Sequence, residues 1–230
     1  MEVIDPSRRF VVGDIHGCCR TFQALVQDVI GLQPGETLFL LGDYLDRGPD
    51  SAGVLDFIFS LQEKGCLVQP ILGNHERMLL DALENREAEL LWLYNGGTAT
   101  LESFGVCSVA EIPERYLSFL RSLPVLRTSG DYIFVHAGLD FVRHDPLTET
   151  SERVMLWGGE RGHACGTIAG RIVVLGHHIE SVEAITASLA TGCIRLDNGC
   201  YQQGRSGFGA LAAVNLDSKE LLLQKNCERR

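Results

Sequence analysis

In its first third the chain repeats one unit three times: a short apolar run, a glycine-bracketed polar loop, then apolar residues at helical spacing. Phe10-Val11-Val12 leads into Gly13-Asp14-Ile15-His16-Gly17, after which Phe22, Leu25, Val26, Val29 and Ile30 recur with helical period up to a stop at Gly31. Residues 37–41 lead into loop 42–49 and a helix marked by Val54, Leu55, Ile58 and Leu61 that ends at Gly65; residues 67–71 lead into Gly73-Asn74-His75-Glu76 and a third helix. Runs this short are strands, and strands joined through helices lie parallel, because the crossover returns the chain to the same edge of the sheet. An α/β fold with helices packed on a largely parallel sheet follows.

The second half is less regular. Tyr116, Leu117 and Leu120 mark a helix closed by Pro124; residues 132–135, 171–175 and 211–214 read as further strands; the glycines from Gly199 to Gly209 read as turns. With 230 residues, 45% of them hydrophobic and 22% charged, one domain over 1–230 is expected, its polar tail 224–230 frayed. A net charge of −10 argues against a nucleic-acid partner, which needs clustered Lys and Arg. No apolar stretch suits a signal peptide or a membrane span, so a cytoplasmic protein with no membrane partner is expected. Eight cysteines without a CxxC pair read as mostly reduced thiols.

The polar residues fall in a pattern. Asp14 and His16 follow the first strand, Asp43 the second, Asn74 the third, His136 the fourth and His177 the fifth. Carboxyl ends of parallel strands line one crevice, so five strand ends deliver oxygen or imidazole donors to one region. Two carboxylates, three imidazoles and an amide, without thiolate, suit manganese, with iron or zinc as other ions the set accepts. Six protein ligands exceed what one catalytic ion needs and suit two, roughly 3.5–4 Å apart.

Gly13-Asp14-Ile15-His16-Gly17, the run from Gly42 to Gly48, and Gly73-Asn74-His75-Glu76 resemble the GDxHG, GDxxDRG and GNHE signatures of the phosphoprotein phosphatase family of calcineurin-like metallophosphoesterases, in the type of the bacterial and phage serine/threonine protein phosphatases. His136-Ala137-Gly138 and Gly176-His177 resemble its two later histidine motifs. The resemblance implies a sandwich of mixed β-sheets flanked by helices. It implies Asp14 and His16 on one ion, Asp43 bridging, and Asn74, His136 and His177 on the other. Arg47 would grip the substrate phosphate, and His75, held by Asp46, would protonate the leaving oxygen. A second phosphate-binding arginine falls to Arg161, because Gly159 stands at the family's usual place.

The expected activity is removal of phosphate from phosphoserine or phosphothreonine, with phosphotyrosine in reach, in a phosphorylated protein or peptide substrate. Nothing in the chain nominates a regulatory partner. A dinucleoside polyphosphate hydrolase on the same metal site is the alternative, and a non-catalytic metal-binding module the third reading. Asp46 and Glu76 favour the first, since the symmetrical tetraphosphatases of the family differ at both places. Trp92, Trp157 and the leucines of segment 79–93 read as packing, His144 and His163 as solvated, His178 as a neighbour of the site without a ligand role, and Tyr201 as near the site.

Overall fold

The computed structural model describes residues 8–159 and 165–229. The first three strands, β1 (Arg9–Val12), β2 (Thr37–Leu40) and β3 (Leu67–Pro70), lie parallel, as their helical connections require. Those connections are α1 (Cys19–Ala24), which widens into a π-helical turn over Leu25–Ile30, and α2 (Ser51–Glu63). Beyond β3 come α3 (Asn74–Ala82), α4 (Arg86–Trp92) running through Leu93–Gly97 into α5 (Thr98–Phe104), and α6 (Glu114–Arg121). A second group of strands follows: β4 (Leu126–Ser129), β5 (Tyr132–Val135), then short helices α7 (Pro146–Glu149) and α8 (Glu152–Trp157), then β6 (Thr167–Ile168) and β7 (Arg171–Ile179). The chain closes with α9 (Val182–Ser188), β8 (Cys193–Asp197), β9 (Ala210–Asn215) and β10 (Leu221–Lys225).

Two mixed sheets result. One has the order β10-β9-β1-β2-β3; the other runs β4-β5-β7-β6, with β8 also paired to β7 in parallel. Strand alternation decides which side chain faces which layer. Val11 and Phe39 turn toward the second sheet, where Phe39 stacks on Phe134 at 4.1 Å; Phe10, Val12, Leu38 and Leu40 turn the other way, onto the helices. The last three residues of β1 and of β2 are buried whichever way they turn, which is why those stretches read as continuous apolar runs. Ile133, Val135, Val173 and Leu175 make a third cluster with Met155 and Leu139 on the outer face of the second sheet.

Three elements differ from the sequence expectation. β7 continues past residue 175 to Ile179 because β8 offers a parallel partner, so His177 sits at an irregularity inside the strand and not in a loop after it. Residues Gln224 and Lys225 pair with β9, and Cys227 and Glu228 bond to Thr21, so most of the polar tail is tied down. Leu90 and Leu91 lie 52% and 56% exposed, so α4 carries only Trp92 into the core. Cys165 and Cys193 form a disulfide between the start of β6 and β8, while the other six cysteines are free. Among the described residues no helix is long and apolar enough to cross a membrane.

Candidate active site

The loops after β1 and β2 are zipped together: the amides of Ile15 and His16 donate to the Asp43 carbonyl at 3.0 and 2.8 Å, and that of Gly17 to Tyr44 at 2.8 Å. Glu76, at the first turn of α3, clamps the same region. Its carboxylate accepts from the amides of Asp43 and Gly73 on one oxygen and of Tyr44 and Leu45 on the other, at 2.8–3.2 Å. Burial and the Asp43 charge push Glu76 up to about 7, yet four amides leave no acceptor for a carboxyl proton, so it sits there as an anion. The fit is close. A Cβ on Gly73 would collide with the Asp43 amide and carboxylate, and one on Gly176 with the Asp14 carboxylate, so both positions require glycine.

Backbone strain gathers at the same place. Seven non-glycine residues among those described have positive φ, and five of them are His16, Asp43, Asp46, Arg47 and His177. Such conformations cost about 1–3 kcal/mol each and persist only where surrounding structure enforces them.

Donor atoms converge inside this frame. His16 Nδ1 and His136 Nδ1 each donate to a carbonyl, Leu45 at 2.9 Å and Leu41 at 2.8 Å, which turns both Nε2 atoms inward. His136 Nε2 faces Asn74 Oδ1 at 2.8 Å, His177 Nδ1 at 3.2 Å and Asp43 Oδ1 at 3.3 Å; Asn74 Oδ1 and His177 Nδ1 are 2.9 Å apart. Two groups of ligand-type residues can be drawn, His16-Asp43-His75 and Asp43-His136-His177, and Asp43 belongs to both. Asp14 stands beside them with its carboxylate accepting the His177 amide at 3.0 and 3.2 Å.

Five carboxylates, Asp14, Asp43, Asp46, Glu76 and Asp197, are no more than 2% exposed, and among the described residues no lysine or arginine is buried with them. Burial pushes Asp14 well above the carboxylate range, with Asp197 and Asp43 adding to it. Burial alone would lower His136, but the Asp43 carboxylate outweighs it and holds the ring protonated up to about 10. Burial, then His136, depresses His177 to about 3. Buried carboxylates crowded with imidazole and amide donor atoms, with no lysine or arginine among the described residues buried beside them, are an arrangement that cations resolve, so the donor set fits divalent metal ions.

His75 and Arg47 lie at the edge of this cluster. His75 Nδ1 donates to Asp46 Oδ2 at 2.7 Å, and its amide to Asp43 Oδ1 at 3.1 Å. Asp46 also receives the Trp92 indole N–H, at 3.0 and 3.1 Å, and the Thr100 hydroxyl at 2.6 Å. The exposed Arg47 donates to His16 Nε2 at 2.9 Å and lies 4.7 Å over the Tyr201 ring, whose edge meets His16. Arg161 and His163 lie outside the described residues; His144 is exposed. Sequence reading missed Trp92 and Thr100 as partners of Asp46, Glu76 as a loop clamp and Asp197 as a buried neighbour. Glu76 was marked by its place in Gly73-Asn74-His75-Glu76 and Asp197 by a glycine-bearing turn, while Trp92 and Thr100 carried no such mark.

A sandwich whose parallel strand ends converge on buried carboxylates and imidazoles defines a metal-dependent hydrolase of phosphate esters. The family model described as calcineurin-like phosphoesterase matches residues 7–187, and the chain belongs to that family. It is 36% identical over 133 residues to a symmetrical bis(5'-nucleosyl)-tetraphosphatase of Aromatoleum aromaticum, a match covering 56% of this chain and 44% of that one. The chain thus spans about half the length of the curated relatives it matches. Among solved structures, a protein provisionally described as a diadenosine tetraphosphatase superposes with a TM-score of 0.69 at 21% identity, over 98% of this chain and 96% of that one. A cold-active protein-tyrosine phosphatase of Shewanella superposes with 0.64 at 15% identity, over 96% and 81%. These two similarities establish the fold alone.

The expectation of a phosphorylated protein or peptide substrate is corrected by the curated relatives, which are named as dinucleoside tetraphosphatases. The physical reason for the misreading is visible. Asp46 and Glu76, on which the substrate distinction rested, are both fully buried and turned inward, one on His75 and the other on backbone amides. They report how the loops are held and not what the site binds.

Proposed function

We propose that this chain is a dinuclear metallohydrolase of dinucleoside polyphosphates that cleaves diadenosine tetraphosphate symmetrically to two molecules of ADP. The observation that carries the substrate class is the 36% identity, over 133 residues, to a protein named for that activity. In this reading residues 1–230 form one catalytic domain, Asp14 and His16 hold one ion, Asp43 bridges, and Asn74, His136 and His177 hold the other. Manganese is the proposed metal, from a donor set mixing imidazole, carboxylate and amide. Bound there, the ions supply Lewis-acid charge and lower the pKa of water near phosphorus.

The protein's own groups do the rest. Arg47 leaves His16 Nε2 to the ion and turns its guanidinium fork to the oxygens of the attacked phosphate; the Tyr201 ring beneath it limits its swing. His75, fixed through Nδ1 by Asp46, offers Nε2 to the oxygen that departs as the P–O–P bond breaks. Arg161 remains the proposed second phosphate contact.

The test is chromatography of products from manganese-loaded protein and diadenosine tetraphosphate. ADP as sole product is expected. Turnover of p-nitrophenyl phosphate with diadenosine tetraphosphate untouched would sink the substrate assignment; loss of both would sink the hydrolase.

A further inference from the structure

A cavity of about 690 Å³ lies beside the metal-ligand loops, within the size range of small-molecule sites. Arg47 and Tyr201 line it and both also touch His16, so they form the partition between cavity and donor cluster. Arg205 and Arg229 line it as well, as do Glu102 and Glu228, and Glu228 is already engaged by the amide and hydroxyl of Thr21. Three arginines on one cavity stand out in a chain of net charge −10.

Arg205 is held by an aromatic ring and not by a carboxylate. Arg9, Arg77 and Arg115 each pair with a carboxylate, at 2.5–2.8 Å. Arg205 has no carboxylate partner among the described residues; its guanidinium stacks 3.9 Å over Phe208, and its one hydrogen bond is a 3.4 Å contact to Gln202 Oε1. Stacking fixes the plane of the guanidinium and leaves its N–H edge directed outward, the form in which arginine takes phosphate oxygens. The loop carrying it is held: Asn198 Nδ2 donates to the Gly207 carbonyl at 3.0 Å, and the Gly209 amide to the Asn198 carbonyl at 3.0 Å.

We infer that this cavity is the subsite for the nucleotide arm beyond the phosphate being cleaved, with Arg205 holding its distal phosphate. The inference rests on the dinucleoside polyphosphate reading above. A phosphate monoester has no distal phosphate to offer, so Arg205 separates nucleotides from simple phosphates while Arg47 serves both.

The test is calorimetry of ADP and of orthophosphate, each titrated into wild-type and R205A protein in saturating manganese. Wild type is expected to bind ADP the more tightly. R205A is expected to lose about 10–100-fold in ADP affinity, the worth of a charge-assisted pair, with orthophosphate affinity unchanged. R205K, which keeps the charge without the fork, is expected between the two. Unchanged ADP affinity in R205A, or equal losses for both ligands, would overturn the subsite. Diadenosine tetraphosphate turnover measured alongside separates the two readings. Loss of ADP affinity in R205A from a protein that leaves diadenosine tetraphosphate intact would uphold the nucleotide subsite and sink only the hydrolase reading.

Discussion

Trp92→Phe separates packing from hydrogen bonding at the base of the site. The indole is fully buried and its N–H is shared between both oxygens of Asp46, which in turn holds His75. Phenylalanine keeps an aromatic ring and removes that donor. A hydrogen bond to a charged group is worth about 1.5–3 kcal/mol, and the volume lost from a tight core adds about 1 kcal/mol. The sum, about 2.5–4 kcal/mol, lowers Tm by about 5–15 °C in a chain of this size. Asp46 keeps the Thr100 hydroxyl, so the pair with His75 weakens but survives. If the lost support passes to His75, kcat falls by about 10–100-fold, one decade for each 1.36 kcal/mol. The assay pairs thermal unfolding with kcat on diadenosine tetraphosphate and on an alkyl phosphate, and manganese content is measured to show the metal site intact. A variant that loses Tm but keeps wild-type kcat on both substrates would refute the reasoning and return Trp92 to a packing role.

Asp43→Asn removes the carboxylate common to both donor groups; metal analysis is expected to show about one ion or fewer per chain, with turnover down by about a thousandfold, and retention of two ions would contradict the bridging role. His75→Asn is expected to keep its metals and lose more rate on alkyl phosphates than on diadenosine tetraphosphate, whose leaving diphosphate needs little protonation; equal losses would remove the general acid. For metal-free protein the sign of the pH dependence follows from His136. Its folded pKa is raised from 6.5 to about 10, so the stability it confers is complete below 6.5 and lost as pH rises through 10. Tm of the chelated protein should therefore fall between pH 7 and 9, and manganese, taking the proton's place, should flatten that slope; a Tm independent of pH in chelator would contradict it.

Much of the site was legible because its ligands are local in sequence. A glycine on each side of Asp14-Ile15-His16 and one before Asp43 and Asn74 mark strand-to-loop turns that only a crowded, strained site requires. What supports those ligands was not legible. Trp92 and Thr100 reach Asp46 from 46 and 54 residues away, and an indole in a leucine-rich helix looks the same whether its N–H is used or not. The parallel pairing that draws His177 inside β7 depends on β8, whose register against β7 shifts between Leu175 and Ile179, an irregularity that apolar spacing does not announce.

The sequence by itself determined the α/β architecture, through strand-length apolar runs alternating with helical period, and the identity of the donor atoms, through polar residues fixed at strand ends. Tertiary structure alone decided how they meet. It sets Asp43 between two groups of donors, turns Asp46 and Glu76 away from any substrate, and stacks Arg205 on Phe208 at the rim of a cavity beside Arg47. The reason is range: a residue's own neighbours set its backbone, but its charge state and its partners are set by whatever the fold brings against it.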